Sequence, residues 1–292
     1  MPVDSAENVP APVRTQAAPV EGWYRGAGGL CLFRRRWAPT VEPRGAVVHI
    51  HGLGDHSGLY PSLVDHLVGR GLAVHAPDLR GNGRSPGQRA YISRWEEFRE
   101  DLLRFVEVVR GEESGRPLFL LGNSLGGLIV LEYALHHPEG LRGVIAASPP
   151  LGRLGVPAPL LLLGRVVSRV WPRFSLQTGM DLTGLARDPV VVETVLGDPL
   201  FHRYGTARLS TEVVAAIARV QQGAARFPLP VLVLHGGADR MVPIEGSRRF
   251  VAAVGHPDRR LIEYPDAYHV LFEDTGRERV LEDLSRWLDD RL

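Results

Sequence analysis

Six buried-type strand runs place the tightest limit on how this chain folds: Gly45–Ile50, Leu72–Ala76, Pro117–Gly122, Leu141–Ala147, Pro230–His235 and Arg260–Tyr264. A strand wet on one side alternates apolar and polar residues, whereas continuous Val/Leu/Ile runs need cover on both faces, as in a parallel sheet. The cover comes from helical patterns between the runs. Ser93 to Arg110 carries Trp95, Phe98, Leu102, Phe105, Val106 and Val109 at helical spacing, with charges opposite. Ser124 to His137 is a second helix, stopped by Pro138 and Gly140, and Glu278 to Leu292 closes the chain with a third. Two earlier strands, near Glu21–Tyr24 and Leu30–Trp37, form a hairpin around Gly26-Ala27-Gly28-Gly29. Strand–helix alternation of this kind gives an α/β class, with a mostly parallel central sheet and helices on both faces.

The alternation breaks between Pro149 and about Phe227, where helices with Pro and Gly interruptions contain no convincing strand. The expected organisation is a flexible Pro/Ala-rich tail over 1–20, a core of 21–148 with 228–292, and a helical cap over 149–227. Open α/β sheets bind ligands at the carboxyl ends of their strands, so an insertion there is a lid.

Other function classes are disfavoured by what the chain lacks. A formal net charge of +1 gives no case for a nucleic-acid partner, and all 34 basic residues are arginine. Cys31, the lone cysteine, sits in Leu30-Cys31-Leu32-Phe33 and reads as a packed strand residue; no intrachain disulfide can form. The first 21 residues lack the uninterrupted apolar segment of a secretory signal, and Pro157 to Gly164 is far too short to span a bilayer. A cytoplasmic protein is expected, with at most a peripheral membrane contact.

Chemistry enters at Gly122-Asn123-Ser124-Leu125-Gly126-Gly127. A lone G-x-S-x-G is weak evidence, but this one directly follows an apolar strand run and directly opens a helix, the context of a nucleophile elbow. The sharp turn strains Ser124 and sets it at a helix N-terminus, where developing negative charge is stabilised. A serine hydroxyl needs a base, and in α/β-hydrolases the partners follow in the order Ser, acid, His. Asp239 hangs on Gly236-Gly237-Ala238 at the end of the run Val231–His235, and His269 follows the last strand and precedes the closing helix. Asp266 and Asp274 are rival acids, but neither ends the strand that should carry one. Among the eleven histidines, His136 and His137 read as surface residues at a helix end, His75 as a strand residue, and His235 as a hydrogen-bonding loop residue. The loop His51-Gly52-Leu53-Gly54 supplies one oxyanion-hole donor, assigned to the Leu53 N–H, and the Leu125 N–H supplies the other. His51 is expected to brace that loop. No metal and no organic cofactor is implied, since His51 and His56 lack partners at ligand-like spacing.

Beyond these motifs the sequence resembles monoacylglycerol lipases and related lysophospholipases. The likeness lies in His51-Gly52-Leu53-Gly54-Asp55-His56-Ser57-Gly58-Leu59-Tyr60 and in Asp78-Leu79-Arg80-Gly81-Asn82-Gly83-Arg84-Ser85, followed by Gly87, Arg89 and Tyr91. It continues through Ala186-Arg187-Asp188-Pro189 and Gly197-Asp198-Pro199-Leu200 in the cap, then the segments around Asp239 and His269, and so covers roughly residues 24–290. Departures are Asn82 and Asn123, where histidine is usual, Leu59, where arginine is frequent, and Asp55 in place of a more usual Glu. The resemblance implies an α/β-hydrolase that cleaves a lipid ester, with a substrate site including Gly52, Asp55, Leu59, Leu161, Val167 and Val242. The cap run Leu160–Leu163, with Val166, Val167 and Val170, is expected to receive an acyl chain or touch a membrane or micelle. Two other readings stay open: a lysophospholipase or general carboxylesterase, and a non-catalytic binding protein on the same fold.

Overall fold

A computed structural model describes residues 18–152, 158–177, 179 and 181–292. The tail expected over 1–20 therefore lies mostly outside the described residues, and the Leu161 side chain lies outside them too.

The hairpin comes first: β1 (Val20–Arg25) pairs antiparallel with β2 (Cys31–Trp37). Then follow β3 (Gly45–Ile50), α1 (Pro61–Gly69), β4 (Leu72–Pro77), α2 (Glu96–Glu112), β5 (Leu118–Asn123), α3 (Leu125–Ala134) and β6 (Gly143–Ala147). The segment after β6 carries α4 (Ala158–Val170), β7 (Ser175–Gln177), α5 (Pro189–Gly197), β8 (Tyr204–Thr206) and α6 (Ala207–Gly223). β9 (Val231–Gly236), α7 (Glu245–Ala253), β10 (Arg259–Tyr264) and α8 (Arg277–Asp289) complete the chain.

The main sheet has eight strands in the order β1-β2-β4-β3-β5-β6-β9-β10, parallel from β4 to β10. All six runs lie in it, but Arg260–Tyr264 is not covered on both faces as expected: it falls on the edge strand β10, where Arg260 is exposed, Leu261, Ile262 and Glu263 are half-buried and only Tyr264 is buried. Burial alternates between two cores because successive side chains leave a strand on opposite faces. Ala46, Val48 and Ile50 join Phe98, Phe105, Leu128 and Ile129 of α2 and α3 on one face. Val47, Phe119 and Leu121 join Leu63 and Leu67 of α1 and Leu284 and Leu288 of α8 on the other. No described helix is long and apolar enough to cross a membrane.

Several expectations need correction. The insertion does contain strands: β7 and β8 pair antiparallel over three residues each, too short for any periodicity to register in sequence. Cys31 is in a strand as expected but exposed, because it opens the hairpin strand rather than packing under it. The helix expected to start at Ser124 starts at Leu125, and His136 and His137 follow its end.

Candidate active site

Ser124 stands between β5 and α3 at φ 53° and ψ −119°, a conformation that costs a side-chain-bearing residue about 1–3 kcal/mol. The neighbouring main chain keeps it there. The Ser124 N–H donates to Ala147 O on β6 at 2.8 Å, and Ser124 O accepts from Leu128 N–H at 3.2 Å. A Cβ on Gly126 would fall far inside contact distance of Ile50 O and His51 O, so only glycine lets α3 dock on the loop after β3. That docking brings the start of α3 beside the loop carrying Leu53. Among the described residues, neither the Leu53 N–H nor the Leu125 N–H has an acceptor.

His269 and Asp239 meet across the ends of β9 and β10. His269 Nδ1 lies 2.7 Å from Asp239 Oδ2, and the carboxylate can only accept, so Nδ1 carries the proton and Nε2 is left as an acceptor. The other Asp239 oxygen accepts from Met241 N–H and Val242 N–H, each at 2.8 Å. Burial by itself would raise the Asp239 pKa; the His269 bond and the two main-chain donors outweigh it and hold the carboxyl below its ordinary value. The rival acids are engaged elsewhere or exposed. Asp274 accepts from the Arg187 and Asp188 main chain and pairs with the Arg187 guanidinium at 2.9 Å, and Asp266 is exposed.

One contributor was invisible in sequence. Ser148, just after β6, also has positive φ (46°), and its hydroxyl donates to His269 O at 2.8 Å while its N–H donates to Leu234 O. Ser124 and His269 are thus both hung on the end of β6. The only sequence signal was position, one residue beyond a strand whose neighbour carries the nucleophile motif.

Supporting histidines behave as hydrogen-bonding residues. His51 Nδ1–H donates to Gly52 O at 2.7 Å and Nε2 accepts from Leu79 N–H at 2.9 Å, which braces the loop as expected. Burial lowers its pKa against the pull of Asp78 and Asp55, so it stays neutral. His235 accepts from Ser247 Oγ and donates to Val242 O. His56 Nε2 contacts Asp198 Oδ2 of the insertion at 3.0 Å.

The sequence-derived substrate residues are spread around this centre. A Cβ built on Gly52 would lie 2.8 Å from Asp55 Oδ2 and 3.4 Å from Ser124 Cβ, so Gly52 sits close against both residues. Leu59 packs with Leu185, Val195, Phe201, Met241 and Val270 where the insertion meets the core. Val242 is half-buried beside Asp239, and Val167 is half-buried on α4. Asn82 receives His202 of the insertion at 2.9 Å, and burial drives the His202 pKa down to about 4. On α4, Ser168 is buried against Thr211 of α6, while Leu162, Leu163, Val166 and Val170 stay exposed, Val170 at 80%. Trp171, next in the chain, is 63% exposed.

The chain is similar to known proteins over most of its length. Residues 41–276 match the family model described as serine aminopeptidase, S33. A monoacylglycerol lipase of Mycolicibacterium smegmatis is 32% identical over 92% of this chain and 96% of its own length. The Homo sapiens monoglyceride lipase is 32% identical over 91% and 89%. The crystal structure of Paleococcus ferrophilus monoacylglycerol lipase superposes with a TM-score of 0.81 at 37% identity, over 89% of this chain and 99% of that one. A soluble variant of the Saccharomyces cerevisiae monoglyceride lipase, in complex with a substrate analogue, gives 0.87 at 27% identity over 97% and 99%. The chain belongs to the monoacylglycerol lipase family, carboxylic ester hydrolases of the serine aminopeptidase S33 group with the α/β-hydrolase fold.

Proposed function

We propose that this protein hydrolyses monoacylglycerols to glycerol and fatty acid through an acyl-enzyme on Ser124. The Ser124 hydroxyl attacks the ester carbonyl as His269 Nε2 takes its proton, and Asp239 holds the imidazole in the tautomer that makes this possible. The oxyanion is received by the Leu53 and Leu125 N–H groups. His269 returns the proton to the departing glycerol oxygen; a water, deprotonated by the same imidazole, then releases the fatty acid and regenerates Ser124. The observation that carries this reading is the 2.7 Å Asp239–His269 pair, in a centre with a strained serine and two main-chain donors that have no acceptor among the described residues.

The names of the relatives support the glycerol ester, and the apolar face of α4 supports a long acyl chain. Exposed Leu162, Leu163, Val166 and Val170, beside exposed Arg165 and Arg169, also suit a peripheral contact with the lipid aggregate that holds the substrate.

The test is fatty-acid release from a long-chain monoacylglycerol, a lysophospholipid and a short p-nitrophenyl ester, with Ser124→Ala as control. The expected result is a monoacylglycerol preference lost in Ser124→Ala. Fast turnover of the short ester with little monoacylglycerol cleavage would leave a general carboxylesterase, and activity in Ser124→Ala would remove the nucleophile assignment.

A further inference from the structure

Tyr60 closes the β3–α1 loop that carries Leu53, and its phenol joins that loop to the end of β5. It donates to Asp55 Oδ2 at 2.7 Å and accepts from Asn123 Nδ2 at 3.3 Å. Asp55 belongs to the loop of Leu53, and its carboxylate lies against Gly52. Asn123 is the last residue of β5, with Ser124 and Leu125 next in the chain. A phenol has one proton, and a carboxylate can only accept, so the order Asn123 N–H to Tyr60 O–H to Asp55 is fixed.

We propose that Tyr60 is a positioning residue that sets the spacing of the two halves of the oxyanion pocket, one built on Leu53 and the other on Leu125. The inference rests on the reading of those two N–H groups given above. Three further observations support it. Tyr60 is only 2% exposed and is held from two sides: it is the N-cap of α1, where its carbonyl accepts from Val64 N–H, and its ring meets His49 of β3 edge-on at 4.3 Å. The phenol is therefore a fixed post to which the two catalytic segments are tied. Asn123 Oδ1 is buried with no partner, so the bond to Tyr60 is what orients that amide. Burial and the neighbouring Asp55 push the phenol pKa well above its ordinary value, so it remains a donor throughout any working pH range.

A purely structural tyrosine and a positioning one predict different kinetics. Displacing a donor by a fraction of an ångström weakens the transition state more than the bound substrate. Tyr60→Phe should lower kcat about ten- to a hundredfold with KM within about twofold, each rate normalised to sites titrated with a fluorophosphonate. The rate constant for fluorophosphonate labelling of Ser124 should fall in parallel, because that reaction uses the same pocket. Asp55→Ala removes the acceptor and cuts the same link from its loop end without disturbing the buried ring. The double variant should be no slower than the worse single one.

Wild-type kcat per titrated site in both Tyr60→Phe and Asp55→Ala would overturn the proposal, as would full additivity in the double variant. Failure of the underlying active-site reading looks different: mass spectrometry of the labelled wild-type protein would then find the probe on a residue other than Ser124, or nowhere.

Discussion

Glu273 is a buried carboxyl whose protonation should be readable in stability. It is 8% exposed, accepts from Ser62 N–H at 3.0 Å and Leu63 N–H at 3.2 Å in the first turn of α1, and burial raises its pKa from 4.5 to about 7 despite those bonds. The folded state therefore holds this proton more firmly than the unfolded chain does. The resulting stabilisation is complete below pH 4.5 and is lost as pH rises through about 7. At about 1.4 kcal/mol per pH unit the loss approaches about 3 kcal/mol. Near the melting point of a chain this long, that corresponds to about 5 °C. Glu273→Gln keeps an acceptor for the α1 donors and cannot ionise. Thermal unfolding of both proteins from pH 5 to pH 8 should show the difference between them moving by about that amount in favour of the glutamine variant. Using the difference removes every other titrating group. Parallel pH curves would refute the reasoning, and a difference moving the opposite way would mean that the α1 donors outweigh burial.

Asp239→Asn should lower kcat about ten-thousandfold with KM little changed, because the amide stabilises the wrong His269 tautomer; steady-state kinetics on a soluble ester would show it. A fall below about tenfold would mean that another group orients the imidazole. Arg187→Ala should destabilise the protein by about 3 kcal/mol in urea titration, since Asp274 is then a buried carboxylate left with main-chain donors alone. Loss of less than about 1 kcal/mol would show the carboxylate rehydrated. Two glycines should respond oppositely to alanine. Gly126→Ala should abolish soluble folding through main-chain overlap, while Gly111→Ala, in open space within α2, should add about 0.5–1 kcal/mol, measured as a higher melting temperature.

Five strands, β3, β4, β5, β6 and β9, were legible because burial on both faces leaves a continuous aliphatic run; the edge strand β10 was placed correctly but is only partly covered. Ser124, Asp239 and His269 were legible as positions because strand ends are easier to place than helix ends. What escaped is instructive. The nine-residue helices α1 and α7 are too short for a periodic signal, and the three-residue strands β7 and β8 cannot show one at all. Tyr60, Ser148, Glu273 and the Arg187–Asp274 pair escaped for a different reason. Apart from the Tyr60–Asp55 bond, five residues apart, their roles depend on partners 63 to 211 residues away, and a hydrogen bond over that separation leaves no local pattern. Cys31 misled because an apolar tetrapeptide does not say which of its residues opens the strand.

The short stretch from His269 to Asp274 has a mechanical consequence. His269 O holds Ser148, Val270 N–H bonds Leu185 O of the insertion, Glu273 caps α1, and Asp274 grips Arg187. A cap swinging open as one rigid lid would drag the imidazole with it and scramble the active centre at every turnover. The stretch around 182–188 thus shares its fastenings with the base, whereas α4 is held elsewhere, by contacts such as Ser168–Thr211, with Gln88–Arg173 just beyond its end. A substitution that loosens 182–188 is therefore felt at the imidazole, while one in α4 is not transmitted to it through these bonds.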